Sequence, residues 1–180
     1  MTAAWAIRIA DENDLEQIMR IEHECFASDA WSSENMQDEL VGAERFYVVA
    51  YSTISDDPDR LIGYAGLVKS PLVSQGDIQT IAVSHELRGK GLGRALMNTL
   101  LAEAKRVGLH EIFLEVRADN PTAQNLYLSL GFEQIDLRKR YYQPDDVDAV
   151  VMRLTLAAEN AKEPLVLGIE SSCDETGIGI

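Results

Sequence analysis

Residues 78–83, Ile78-Gln79-Thr80-Ile81-Ala82-Val83, run through Ser84-His85-Glu86-Leu87 into Arg88-Gly89-Lys90-Gly91-Leu92-Gly93-Arg94, and this stretch decides the fold. The apolar run reads as a strand. The Gly-rich basic stretch reads as a loop, and an amphipathic helix follows it from about Gly91 to Val107. Glycines let backbone N–H groups turn inward with no Cβ in the way. A helix N-terminus adds unsatisfied donors and partial positive charge. Arg88, Lys90 and Arg94 add charge-assisted hydrogen bonds to phosphate oxygens. Strand, loop and helix together form a cradle for a pyrophosphate. The Arg-x-x-Gly-x-Gly spacing is neither the Rossmann Gly-x-Gly-x-x-Gly nor a P-loop ending in Gly-Lys-Ser/Thr.

Outward from the loop, the chain alternates strands and helices. Upstream, Ala4 to Ile9 reads as a first strand, and Asp11-Glu12-Asn13-Asp14 caps a helix carrying Leu15, Ile18, Met19, Ile21 and Glu22 at helical spacing. A second short helix begins at Ser32 or Ser33. Phe46 to Tyr51 and Leu61 to Val68 read as strands joined by a polar hairpin-type loop, with Asp77 to Val83 as the fourth. Gly108 ends the helix that follows the basic loop. Glu111 to Arg117 is a fifth strand, with Ile112, Leu114 and Val116 on one face and Phe113, Glu115 and Arg117 on the other. Asn120-Pro121 opens the next helix, an Asn cap followed by Pro at its first position. Phe132 to Tyr142 and Val147 to Leu156 complete a β-α-α-β-β-β-α-β-α-β-β order, an α/β domain with a mixed sheet.

Composition narrows the class. No apolar run reaches the roughly 20 residues of a membrane span, and the N-terminus lacks the pattern of a secretory signal. Two cysteines, Cys25 and Cys173, lie far apart, which fits a reduced cytoplasmic setting. His23, His85 and His110 show no metal-ligand spacing, so no metal site is expected. The net charge of −14 disfavours direct nucleic-acid binding; it would attract a basic peptide, or it serves only to keep the protein soluble.

Several separated motifs occur in order: Arg88 to Arg94, then Leu114-Glu115-Val116-Arg117-Ala118-Asp119-Asn120, then Ala123-Gln124-Asn125-Leu126-Tyr127-Leu128-Ser129-Leu130-Gly131-Phe132. Cys25-Phe26 leading to Trp31-Ser32, and Arg140-Tyr141-Tyr142, accompany them. Over roughly residues 5 to 156 the chain resembles the GNAT superfamily, in its branch of ribosomal-protein-alanine N-acetyltransferases. The resemblance implies a GNAT fold: a mixed sheet of about seven strands, the fourth and fifth splayed apart, flanked by about four helices. It also implies acetyl-CoA as cosubstrate and the N-terminal peptide of a ribosomal protein as acceptor.

The same resemblance assigns roles. Backbone groups of Ile81, Ala82 and Val83 would pair with the pantetheine, and Arg88, Gly89, Lys90, Gly91, Leu92, Gly93 and Arg94 would wrap the pyrophosphate. Asn120 would hold the cofactor arm, a role compatible with capping its helix. Glu115 is the candidate general base and Tyr127 the candidate general acid. Glu115 pairing with Arg117, and Tyr127 as a core tyrosine, are the alternatives. Trp31, Arg140, Tyr141 and Tyr142 are the candidate substrate contacts, although aromatics at this spacing also serve as core. A GNAT enzyme with a broader range of amines, or a non-catalytic acyl-CoA-binding module, are the competing readings.

Residues 157–164 read as a linker. Leu167-Gly168-Ile169-Glu170-Ser171-Ser172-Cys173-Asp174-Glu175-Thr176 resembles the start of TsaD, the threonylcarbamoyl-transferring subunit of tRNA modification. On that reading residues 165–180 are the truncated start of a TsaD-like domain fused to the acetyltransferase domain of residues 1–156.

Overall fold

The computed structural model describes residues 5–156 apart from 27–28, 54–56, 58–59 and 71. The expected linker and TsaD-like start lie outside the described residues. Seven strands form one sheet: β1 (Trp5–Ile9), β2 (Arg45–Ser52), β3 (Leu61–Lys69), β4 (Gln75–Val83), β5 (Glu111–Arg117), β6 (Glu133–Tyr142) and β7 (Val147–Thr155). Their order is β1-β2-β3-β4-β5-β7-β6. Every neighbouring pair is antiparallel except β4 and β5, which are parallel. Among the described residues four α-helices complete the fold: α1 (Leu15–Phe26), α2 (Ser33–Val41), α3 (Leu92–Arg106) and α4 (Pro121–Ser129).

Side-chain alternation along β2 shows how the sheet is covered. Val48 and Ala50 join the core under α3, which contributes Leu92, Leu96, Met97, Leu100 and Ala104. Tyr47 and Val49 face the other way, onto Ile18, Met19 and Ile21 of α1 and Met36 of α2. Leu92, Leu96, Met97 and Leu100 are each fully buried, and a buried side chain of this size contributes about 1.5–3 kcal/mol. Gly66 of β3 is required by crowding, because a Cβ there would lie 2.3 Å from the Tyr47 ring. None of the described helices is long and apolar enough to cross a membrane.

One irregularity in β4 governs the rest. Gly66 faces Thr80 while its neighbour Leu67 faces Ile78, so Gln79 is an extra, bulged residue. The bulge reverses which face each later side chain meets. Ile78 reaches the α3-side core before it; beyond it Ile81 and Val83 do so, and Ala82 turns to the α1 side. A bulge leaves no mark in a short apolar run whose side chains suit either face.

Candidate active site

The bulge coincides with a gap in the sheet. β4 and β5 pair from Gln75↔Glu111 to Ile78↔Leu114, yet β4 runs on to Val83 and β5 to Arg117. Antiparallel alternation determines which β4 groups face that gap. The Ser84 N–H donates to the Ile62 carbonyl at 3.0 Å, so Ser84 and Ala82 present their backbone groups to β3. Those of Ile81 and Val83 point into the gap. Of the three residues expected to pair with pantetheine, Ala82 is therefore committed to the sheet.

Past Val83 a single turn, His85–Leu87, leads to the basic loop. Gly89 and Gly91 have φ of +72° and +92°, left-handed values that L side chains avoid. A Cβ on either would meet nothing within 4 Å, so conformation, not crowding, calls for glycine here. Gly91 caps α3 without a side-chain hydrogen bond. The first-turn N–H groups of Leu92, Gly93 and Arg94 have no helical acceptor. Positive-φ glycines ahead of a helix N-terminus, beside an open strand edge, fit a pyrophosphate with an extended arm.

The three basic side chains are arranged differently from one another. Arg88 turns back, donating from Nε to the Val83 carbonyl at 3.1 Å and from Nη2 to Cys25 Sγ at 3.3 Å. Arg94 donates to Ser129 Oγ of α4 at 2.6 Å. Lys90 is exposed.

At the other end of the gap, Glu115 faces the α1 side of the sheet and pairs with Arg138 of β6. Arg117, the alternative partner that the sequence suggested, is engaged elsewhere, as described below. The neighbouring Glu115 carboxylate, ahead of partial burial, raises the pKa of Tyr141. Tyr141 and Tyr142 stack edge to face with centroids 5.3 Å apart. Arg138 lies 5.5 Å from the Tyr141 ring and Arg117 lies 5.3 Å from the Tyr142 ring. Arg140, with φ of +50°, is held through its backbone: its N–H donates to Asp148 Oδ1 at 2.9 Å.

Tyr127 is 5% exposed in the α3-side core, 5.9 Å from the Phe132 ring. Burial first, then the neighbouring Tyr142, raises its pKa well above that of a free phenol. Tyr142 is itself pushed up to about 12 by burial and then by Glu115. Tyr142 thus feels Glu115 and acts on Tyr127, two residues that stand on opposite faces of the sheet. Asn120 Oδ1 accepts the Ala123 N–H at 3.1 Å and caps α4.

Two acidic residues here carry no site role in the sequence analysis, Asp77 and Glu22, although Glu22 is placed there on the stripe of α1. Asp77, just before the bulge, has its pKa raised by burial and then by Glu115. Glu22 is 1% exposed and accepts the Trp31 N–H at 2.9 Å, while the Tyr64 hydroxyl donates to its other oxygen. Its place one turn beyond Ile18 on the apolar stripe of α1 was the available signal.

This layout is that of an acyl-group transferase. Residues 14–132 match the model of the acetyltransferase (GNAT) family, and the chain belongs to that family. It is 35% identical over 143 residues to the N-alpha-acetyltransferase RimI of Mycobacterium tuberculosis, covering 78% of this chain and 85% of that one. A longer Mycobacterium leprae protein is 38% identical over 143 residues, which span 38% of its own length. Among solved structures, the ribosomal-protein-S18-alanine N-acetyltransferase of Escherichia coli superposes with a TM-score of 0.74 at 28% identity. That match covers 88% of this chain and 99% of the other.

Proposed function

We propose that the chain transfers an acetyl group from acetyl-CoA to the N-terminal α-amine of a protein, the N-terminal alanine of a small-subunit ribosomal protein. The observation that carries this reading is Glu115 on the floor of the opening where β4 leaves β5. There β4 leaves a strand edge open beside a carboxylate, and the glycine cradle follows the far end of that edge. The names of the M. tuberculosis and E. coli relatives support the choice of an N-terminal acceptor.

Acetyl-CoA supplies the acetyl group as a thioester. The backbone groups of Ile81 and the N–H of Val83, whose carbonyl already accepts from Arg88, hold its arm, and residues 88–94 hold its pyrophosphate. The backbone amide nearest the thioester oxygen stabilises the charge that develops there. An α-amine, with a pKa near roughly 7.7–8.0, must lose a proton before it attacks. Glu115, directly or through water, takes that proton. The new N–C bond forms as the C–S bond breaks, and the Tyr127 hydroxyl protonates the departing sulfur. Its raised pKa keeps that proton in place across the physiological range.

A panel of peptides beginning with Ala, Ser, Met or Lys side-chain amines, each assayed with acetyl-CoA, tests the reading. Turnover confined to Ala-first peptides supports it. Turnover of many amines would indicate a broader acetyltransferase, and no turnover with tight acetyl-CoA binding would indicate a binding module.

A further inference from the structure

Arg117, the last residue of β5, lies two positions beyond Glu115 on the same face, with its side chain 25% exposed. Its guanidinium meets three carboxylates on three different segments. Nη1 donates to Asp29 Oδ2 at 2.7 Å, in the connection between α1 and α2 that carries Trp31. Nε and Nη2 donate to the two oxygens of Asp119 at 3.1 Å each, in the turn after β5. Nη2 also donates to Asp145 Oδ2 at 3.1 Å, in the β6–β7 turn just beyond Tyr141 and Tyr142. The same guanidinium lies 5.3 Å from the Tyr142 ring.

These contacts span the face on which Glu115 opens. Trp31 stands on one side, Tyr141 and Tyr142 stand on the other, and β5 runs between them. Three carboxylates facing one another would drive the two sides apart, and one planar fork of five donors offsets that repulsion while fixing direction. We infer that Arg117 is a positioning residue that sets the width of the acceptor groove, acting through Trp31 and Tyr142 without touching the reacting atoms. This inference rests on the reading that the acceptor enters beside Glu115.

Arg117→Met keeps much of the stem that packs near Tyr142 and removes the charge. It is expected to raise the acceptor-peptide KM by about tenfold or more, the scale of one lost charge-assisted contact. The acetyl-CoA Kd, measured by calorimetry, should stay within about twofold. Adding Asp145→Asn to Arg117→Met relieves part of the repulsion and should recover part of the KM, which a general loss of fold would not allow. Hydrogen exchange should quicken together in segments 29–36 and 141–147. An unchanged acceptor KM, an equal rise in the acetyl-CoA Kd, no recovery in the double variant, or exchange altered on one side alone would each overturn the inference. If the wild-type chain acetylates no Ala-first peptide, the proposed function fails, while the exchange measurement still decides the role of Arg117.

Discussion

The backbone N–H of Trp31 donates to the carboxylate of Glu22 at 2.9 Å, at a side chain that is only 1% exposed. The Tyr64 hydroxyl binds the other oxygen and lies 3.3 Å from Thr80 Oγ1, immediately past the β4 bulge. One buried carboxyl thus ties the Trp31 segment to β3 and, through Tyr64, to the stretch of β4 that borders the gap.

Burial raises the pKa of Glu22, and the Trp31 N–H opposes that rise without cancelling it. The folded-state value therefore lies above the unfolded one, near roughly 4.3. This carboxyl's contribution to stability is greatest below that pH and is lost as the pH rises through the folded value. Glu22→Gln keeps an acceptor for Trp31 and removes the charge. Thermal melts should show the variant gaining on the wild type from about pH 4.3 upward. A difference that does not change with pH would refute this. Glu22→Ala, which strands two polar partners, should cost about 1–3 kcal/mol.

Gly91→Ala places a Cβ at φ of +92° just before α3, a conformation costing an L residue about 1–2 kcal/mol. Relief of that strain would move the loop backbone away from the cradle. Weaker acetyl-CoA binding by calorimetry, together with a lower Tm, is expected. Unchanged affinity would remove the loop from the site.

Tyr127→Phe retains the ring that packs near Phe132 and deletes only the hydroxyl. A fall in kcat on the order of 10²-fold is expected, with little change in acetyl-CoA affinity. Near-normal turnover would leave Tyr127 as a core residue.

Glu115→Gln should lower turnover at pH 7 by about 10²-fold or more. The deficit should shrink above roughly pH 8, where a free α-amine is already neutral in solution. A deficit that is constant from pH 7 to 9.5 would argue against proton removal as the role of this residue.

Much of the fold was legible because local patterns are short in range. The Asp11–Asp14 cap, a serine at 32 or 33 opening α2, Asn120-Pro121 opening α4 and the alternation along β5 each depend on neighbours within a turn or two. Arg140 is legible as a candidate substrate contact, but its positive φ within the register shift between Arg138 and Tyr142 depends on pairing with β7. Asn120 was legible in its capping role, which depends only on Ala123 three residues on.

By itself, the sequence determined the element order, the glycine cradle before α3 and the face of β5 on which Glu115 stands. Side-chain period and glycine's freedom at positive φ follow from local sterics. Only the tertiary structure decided that Gln79 bulges, that Ala82 turns its backbone to β3, and that Arg88 folds back onto Val83 and Cys25. It alone brought Asp29, Asp119 and Asp145 around Arg117. These depend on strand register and on contacts between residues as many as 88 positions apart, where no local pattern records which partner is met.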